Sequence, residues 1–118
     1  MQARPGSLLM DRRRSPRIAV LLPLRIWGVD AYARPFMHLA HAKNISATGA
    51  VVNGFPCEIL EGEVVDVQYG KEKAQFRVVW VGQPNSRAQR EIGIQCLPAE
   101  PLIWAVNLRR CAQLVGKG

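Results

Sequence analysis

Two groups of residues in this chain have types and spacings that could do chemistry. The first is the run Arg12-Arg13-Arg14-Ser15-Pro16-Arg17, in which Arg13 and Arg17 stand as R-x-x-x-R. A guanidinium is planar, permanently charged and fork-shaped. It can hold a phosphate bidentately, read the O6/N7 edge of a guanine, or stack on a base. Lysine does only the first of these well, and every basic residue up to position 17 is arginine. Pro16 fixes its own φ and biases Ser15 toward an extended shape, so the arginines are expected to splay rather than line a helix. The second group is Asn44-Ile45-Ser46-Ala47-Thr48-Gly49, or N-x-S-x-x-G. Asn44 can donate to and accept from a base edge, and Ser46 can donate to a phosphate or cap a local turn. Gly49 permits positive φ or close backbone approach. Taken singly, each group has a plainer reading: a solvated basic arm or RNA-binding tail, and an ordinary turn. Together they suit an anionic ligand that carries a guanine.

The surrounding segments must position these groups. Residues 1–11 are expected to form a flexible tail, because Pro5-Gly6-Ser7 breaks regular structure. Ile18–Trp27 predicts a strand interrupted by Pro23, which implies an edge position or a bulge. Gly28–Pro35 predicts a loop. Phe36–Asn44 predicts a second strand, with Met37, Leu39 and His41 on one face and Phe36, His38, Ala40 and Ala42 on the other. A third begins at Ala50–Val52 and ends at Gly54-Phe55-Pro56. Glu63–Tyr69, a Gly70-Lys71 hairpin turn and Lys73–Val81 follow, then a polar loop from Gly82 to Arg90 and a last strand, Glu91–Leu97. Short strands with turn signals predict an all-β sandwich or barrel. Pro98-Ala99-Glu100-Pro101 has the proline and acid of a helix entry, and Leu102–Val115 predicts an amphipathic α-helix with Trp104, Leu108, Cys111 and Val115 on one stripe. That helix would cover a barrel opening, or meet a dimer partner or a docked protein.

Composition narrows the function classes. A chain of 118 residues has room for one core. No apolar run approaches the roughly 20 residues needed to span a bilayer, and Leu8-Leu9-Met10 is too short for a signal peptide core, so a cytoplasmic location is expected. Cys57, Cys96 and Cys111 are odd in number and widely spaced, which speaks against a disulfide framework. The net charge of +7 is unevenly spread: the first 17 residues carry five arginines against Asp11, whereas residues 18–97 carry eight basic and seven acidic side chains. A nucleic-acid binder would more often spread cations over a folded face. His38 and His41 are three apart on a strand, face opposite sides and do not make a metal pair. No phosphate loop, nucleophile elbow or catalytic carboxylate pair is visible, so no enzyme is expected. Trp27, Trp80 and Trp104 are expected in the core or in helix packing rather than as stacking platforms.

R-x-x-x-R, two strand-like segments and then N-x-S-x-x-G resembles the PilZ domain family. The likeness runs from about Arg12 to Leu97 and includes Arg77-Val78-Val79-Trp80-Val81 and Ile92-Gly93-Ile94-Gln95-Cys96-Leu97, which look like the family's last two barrel strands. Asn44 stands where the family equally often has aspartate. The resemblance implies a small antiparallel β-barrel of about six strands over residues 12–97, lead-in included, followed by the helix and tail of residues 98–118. It also implies a non-enzymatic receptor for cyclic di-GMP, held by Arg12, Arg13, Arg17, Asn44, Ser46 and Gly49, with no metal or cofactor. Ordering of the arginine lead-in over the nucleotide would re-aim the amino terminus and signal to a partner protein. An arginine at position 12, directly before Arg13, is associated in such domains with two intercalated nucleotides per chain. The alternative reading is a protein-interaction module, or a nucleic-acid binder whose arginines meet phosphates without base specificity.

Overall fold

The computed structural model describes residues 17–104. The arginines at positions 12 to 14, the tail before them, and the predicted helix beyond Trp104 lie outside the described residues. Six antiparallel strands follow one another: β1 (Ile18–Val29), β2 (Pro35–Ile45), β3 (Gly49–Asn53), β4 (Val64–Tyr69), β5 (Glu72–Val81) and β6 (Glu91–Cys96). They close into a barrel in the order β1-β2-β3-β6-β5-β4. None of the described residues forms a helix long and apolar enough to cross a membrane.

Alternation builds the interior. Leu22, Leu24 and Ile26 of β1 point inward, as do Val65 and Val67 of β4, Ala74, Phe76 and Val78 of β5, and Ile92 and Ile94 of β6. Phe36, His38, Ala40 and Ala42 take the inner side of β2, while Met37 and Leu39 are exposed, as the sequence pattern predicts. His38 stacks on Phe36, with ring centres 5.2 Å apart, and meets Phe55 edge-on. Among the described residues no three His, Cys, Asp or Glu side chains converge on a metal-sized site.

Two sequence expectations change and one holds. The loop predicted at Gly28–Pro35 shrinks to residues 30–34, because Asp30 closes it locally. Its Oδ1 accepts the backbone N–H groups of Tyr32 at 2.9 Å and Arg34 at 3.0 Å, so the strands can run to Val29 and from Pro35. Pro23 has both features expected of a strand proline. It follows a register shift between Ala19 and Leu22, and it lies outside the short β1–β4 ladder, which pairs only Arg25, Ile26 and Trp27. The stretch from Pro98 to Trp104 is not helical, so the predicted helix does not begin at Leu102. Ala99 has φ +72°, the Glu100 carboxylate accepts the Gln75 N–H at 2.7 Å, and Leu102 is not helical. The segment straps across β5 and delivers Trp104 to the barrel end, where the indole is fully buried, stacked on Phe76, and donates from Nε1 to the Ser46 carbonyl at 3.0 Å.

Candidate functional site

The polar turn joins β2 to β3 at the same barrel end. Its geometry starts with Ser46, which is only 8% exposed. The Ser46 hydroxyl accepts the N–H groups of Thr48 and Gly49, each at 3.2 Å, and its own proton has Thr48 Oγ1 at 3.3 Å and the Gly49 carbonyl at 3.5 Å within reach. The Ser46 N–H donates to the Gly49 carbonyl at 2.8 Å. This is a serine-closed turn, in which the side chain satisfies backbone donors that the bend leaves open. Of the two roles open to Ser46 in the sequence, capping the turn is the one its contacts display.

Gly49 is also decided between its two possibilities. It is not among the described glycines with positive φ. A Cβ on it would land on the Ile94 carbonyl oxygen, so the residue is small because β3 and β6 approach closely there. The close partner is a strand backbone.

Two bulges then aim side chains outward. On a strictly alternating β2, Ala42 and Ile45 would face opposite sides, yet both are fully buried. The β2–β3 register shifts between Ala42 and Asn44, so the extra residue, Lys43, reverses the alternation and turns Asn44 to the outer wall. The Lys43 ammonium meets the buried carboxylate of Glu91 at 2.7 Å, which anchors the bulge to β6. On β5 the register shifts between Val78 and Trp80. Here Val79 is the extra residue, and Trp80 leaves the inward series of Ala74, Phe76 and Val78 to lie on the outer wall. Its indole rests on Gly93, where any Cβ would collide with the ring. The expectation that Trp80 belongs to the core is therefore corrected.

These devices converge on one concavity of about 130 Å³, lined by Arg17, Asn44, Ser46, Thr48, Gly49, Val51, Trp80, Gly93 and Gln95 among others. The structure thus brings together four of the six residues singled out in the sequence: Arg17, Asn44, Ser46 and Gly49. Arg12 and Arg13 lie outside the described residues. Arg17 is exposed and has no carboxylate partner among the described residues, and the Asn44 amide has no hydrogen-bond partner among them. Trp80, Thr48, Gly93 and Gln95 were not foreseen. For Trp80 the missing signal was the bulge, which an uninterrupted run of β-forming residues does not announce.

The cavity is smaller than the roughly 300–1,000 Å³ of an enclosed small-molecule site, so a large ligand would lie across it. What the wall offers is a guanidinium and an amide without partners among the described residues, a flat indole and a close-packed turn. These can bind and orient an anion with an aromatic ring. A larger concavity, of about 400 Å³ and lined by Phe55, Ile59, Val81 and Arg90, opens at the opposite barrel end and contains none of the motif residues. Cys57 and Cys96 are unbridged thiols, and burial raises the pKa of both.

Fold and site together define a small closed barrel with a polar concavity on its outer wall. No protein-family model matches the chain, and no curated protein matches it.

Proposed function

We propose that this chain is a PilZ-like receptor for cyclic di-GMP, a binding module that senses the nucleotide and performs no chemistry on it. The observation that carries the reading is the convergence of Arg17, Asn44, Ser46 and Gly49 on one outer concavity, although they lie up to 32 positions apart in sequence. In this reading Arg17 and Arg13 meet phosphates and guanine edges, and Asn44 hydrogen-bonds a guanine. Ser46 holds the turn that presents Asn44, and Gly49 keeps β3 against β6 beneath the ligand. Trp80 supplies a stacking surface, a contribution of about 1–3 kcal/mol per base where aromatic residues hold nucleobases. Arg12 adds a third planar cation, enough to accommodate a second stacked nucleotide, so two molecules bind per chain. The lead-in closes over the ligand and passes the signal to a partner protein.

Calorimetric titration of the full chain tests this directly. Cyclic di-GMP is expected to bind at two molecules per chain and to change tryptophan emission, a change that Trp80→Phe should remove. Cyclic di-AMP is expected to fail, because adenine lacks the guanine O6 acceptor. Equal binding of both dinucleotides, with affinity falling steeply as salt rises, would instead mark a nonspecific phosphate binder. No binding of cyclic di-GMP would overturn the proposal.

A further inference from the structure

The wall formed by β1 and β2 carries a second feature, unrelated to the concavity. Leu21 is 73% exposed, Leu39 68% and Met37 48%. The register sets Arg25 beside Leu39 and Trp27 beside Met37, so these residues share one outer face. From Leu21 to Trp27 the strip runs roughly 20 Å at about 3.3 Å per residue. Two cations stand over its aromatic residue: the Arg25 guanidinium lies 6.0 Å and the Lys73 ammonium 5.1 Å from the Trp27 ring centre. Neither has a carboxylate partner among the described residues. The nearby acids are Asp66, opposite Trp27 in the ladder, and Glu72 at the β4–β5 hairpin. Between β1 and that hairpin a cleft of about 280 Å³ is lined by Pro23, Arg25, Leu39, Gln68 and Gly70.

We propose that this wall docks on an anionic lipid bilayer. Leu21, Met37 and Leu39 enter the headgroup boundary, Trp27 sits at headgroup level, and Arg25 and Lys73 meet lipid phosphates, one of them at the cleft. Charge decides between occupants. A second copy seated across a two-fold axis through Trp27 would bring Arg25 and Lys73 toward their own images, and like charges oppose that contact. Exposed leucines around a tryptophan, flanked by cations without a carboxylate partner among the described residues, match the interface of an anionic membrane, where apolar tips are buried and basic groups are attracted.

The test is co-sedimentation of the full chain with vesicles of phosphatidylcholine alone, and of phosphatidylcholine and phosphatidylglycerol at three to one. Binding is expected to the anionic vesicles and to be at least about tenfold weaker to the neutral ones. Leu39→Asp should lower anionic-vesicle binding at least about tenfold, the scale of losing one buried leucine. Joint replacement Arg25→Gln and Lys73→Gln should lower it about twenty-five-fold, at about fivefold per cation. These side chains lie on the outer face, and the far-UV circular dichroism spectrum and melting temperature report separately on the intact barrel. If Leu39→Asp binds vesicles as the parent does, the amino-terminal arginines suffice and the proposal fails. It also fails if no vesicle binds. Self-association in sedimentation velocity that Leu39→Asp abolishes, without vesicle binding, would make the wall an interface between copies and overturn the lipid assignment.

Discussion

The two outer walls of this barrel are made from the same kind of strand and look outward onto the same solvent, yet they differ in shape. The wall of β3, β5 and β6 is indented. It is flanked by bulges at Lys43 and Val79, has glycines at positions 49 and 93, and carries Trp80 folded flat against β6. The wall of β1 and β2 instead presents the apolar side chains of Leu21, Met37 and Leu39 over most of its length. A regular pleat sets side chains outward at even intervals and leaves no room between them. Removing two Cβ atoms and reversing the alternation twice makes a hollow and fills its rim with polar groups. The polar concavity of this barrel is thus a product of irregular residues.

This contrast makes the two walls unequal in their tolerance of substitution. Gly49→Val should destabilise the fold by about 3 kcal/mol in urea unfolding, because the new side chain must displace the β6 backbone. Leu39→Ser on the other wall should stay within about 0.5 kcal/mol. Equal effects would show that the close β3–β6 approach is not a constraint. Arg17→Ala should lose about 1.5–3 kcal/mol of cyclic di-GMP binding with the melting temperature unchanged, and Arg13→Ala should behave alike. Unaltered affinity in both would remove the arginines from the site. Ser46→Ala should destabilise the fold by about 1–2 kcal/mol, because the Thr48 and Gly49 N–H groups lose their acceptor in a buried turn. A fully stable Ser46→Ala protein with weakened nucleotide binding would instead give Ser46 a direct ligand contact.

The smallest effect belongs to the far end of the β1–β2 wall. Hydrogen bonding from the Arg34 N–H, joined by the Tyr32 N–H and the Arg34 guanidinium, holds the Asp30 carboxyl below its ordinary pKa against a partial opposing effect of burial. A depressed carboxylate stabilises the fold above its unfolded pKa, near about 3.9, and that contribution is lost as pH falls through the folded value. Asp30→Asn should therefore unfold slightly more readily than the parent at neutral pH, and the two melting curves should converge in acid. A gap that persists at low pH would mean that the loop depends on Asp30 for something other than its charge.

Much of the barrel was legible locally. Alternation in Phe36–Ala42 and Glu63–Tyr69, the Gly70-Lys71 turn and the polar residues from Gly82 to Arg90 each reflect a two-residue period or a turn preference. The Asn44–Gly49 motif and Arg17 could be named because their residue types already limit the chemistry. Helix signals at Pro98-Ala99-Glu100-Pro101 placed a helix start at Leu102, where the described chain forms a strap instead, because a proline and an acid suit a strap as well as a first turn. There the burial of Trp104 against Phe76 and Ser46 outweighs local preference.

By itself, the sequence determined the strand count, the alternation of Phe36–Ala42 and the residue types available to meet an anion, since these depend on neighbours a few positions apart. Only the tertiary structure decided that β1 closes onto β4, that Gly49 is small for the sake of Ile94, and that Asn44 and Trp80 face the same hollow. Those outcomes depend on how one strand's length compares with its partner's. A bulge exists only where two strands disagree by a residue, and no single segment carries that information.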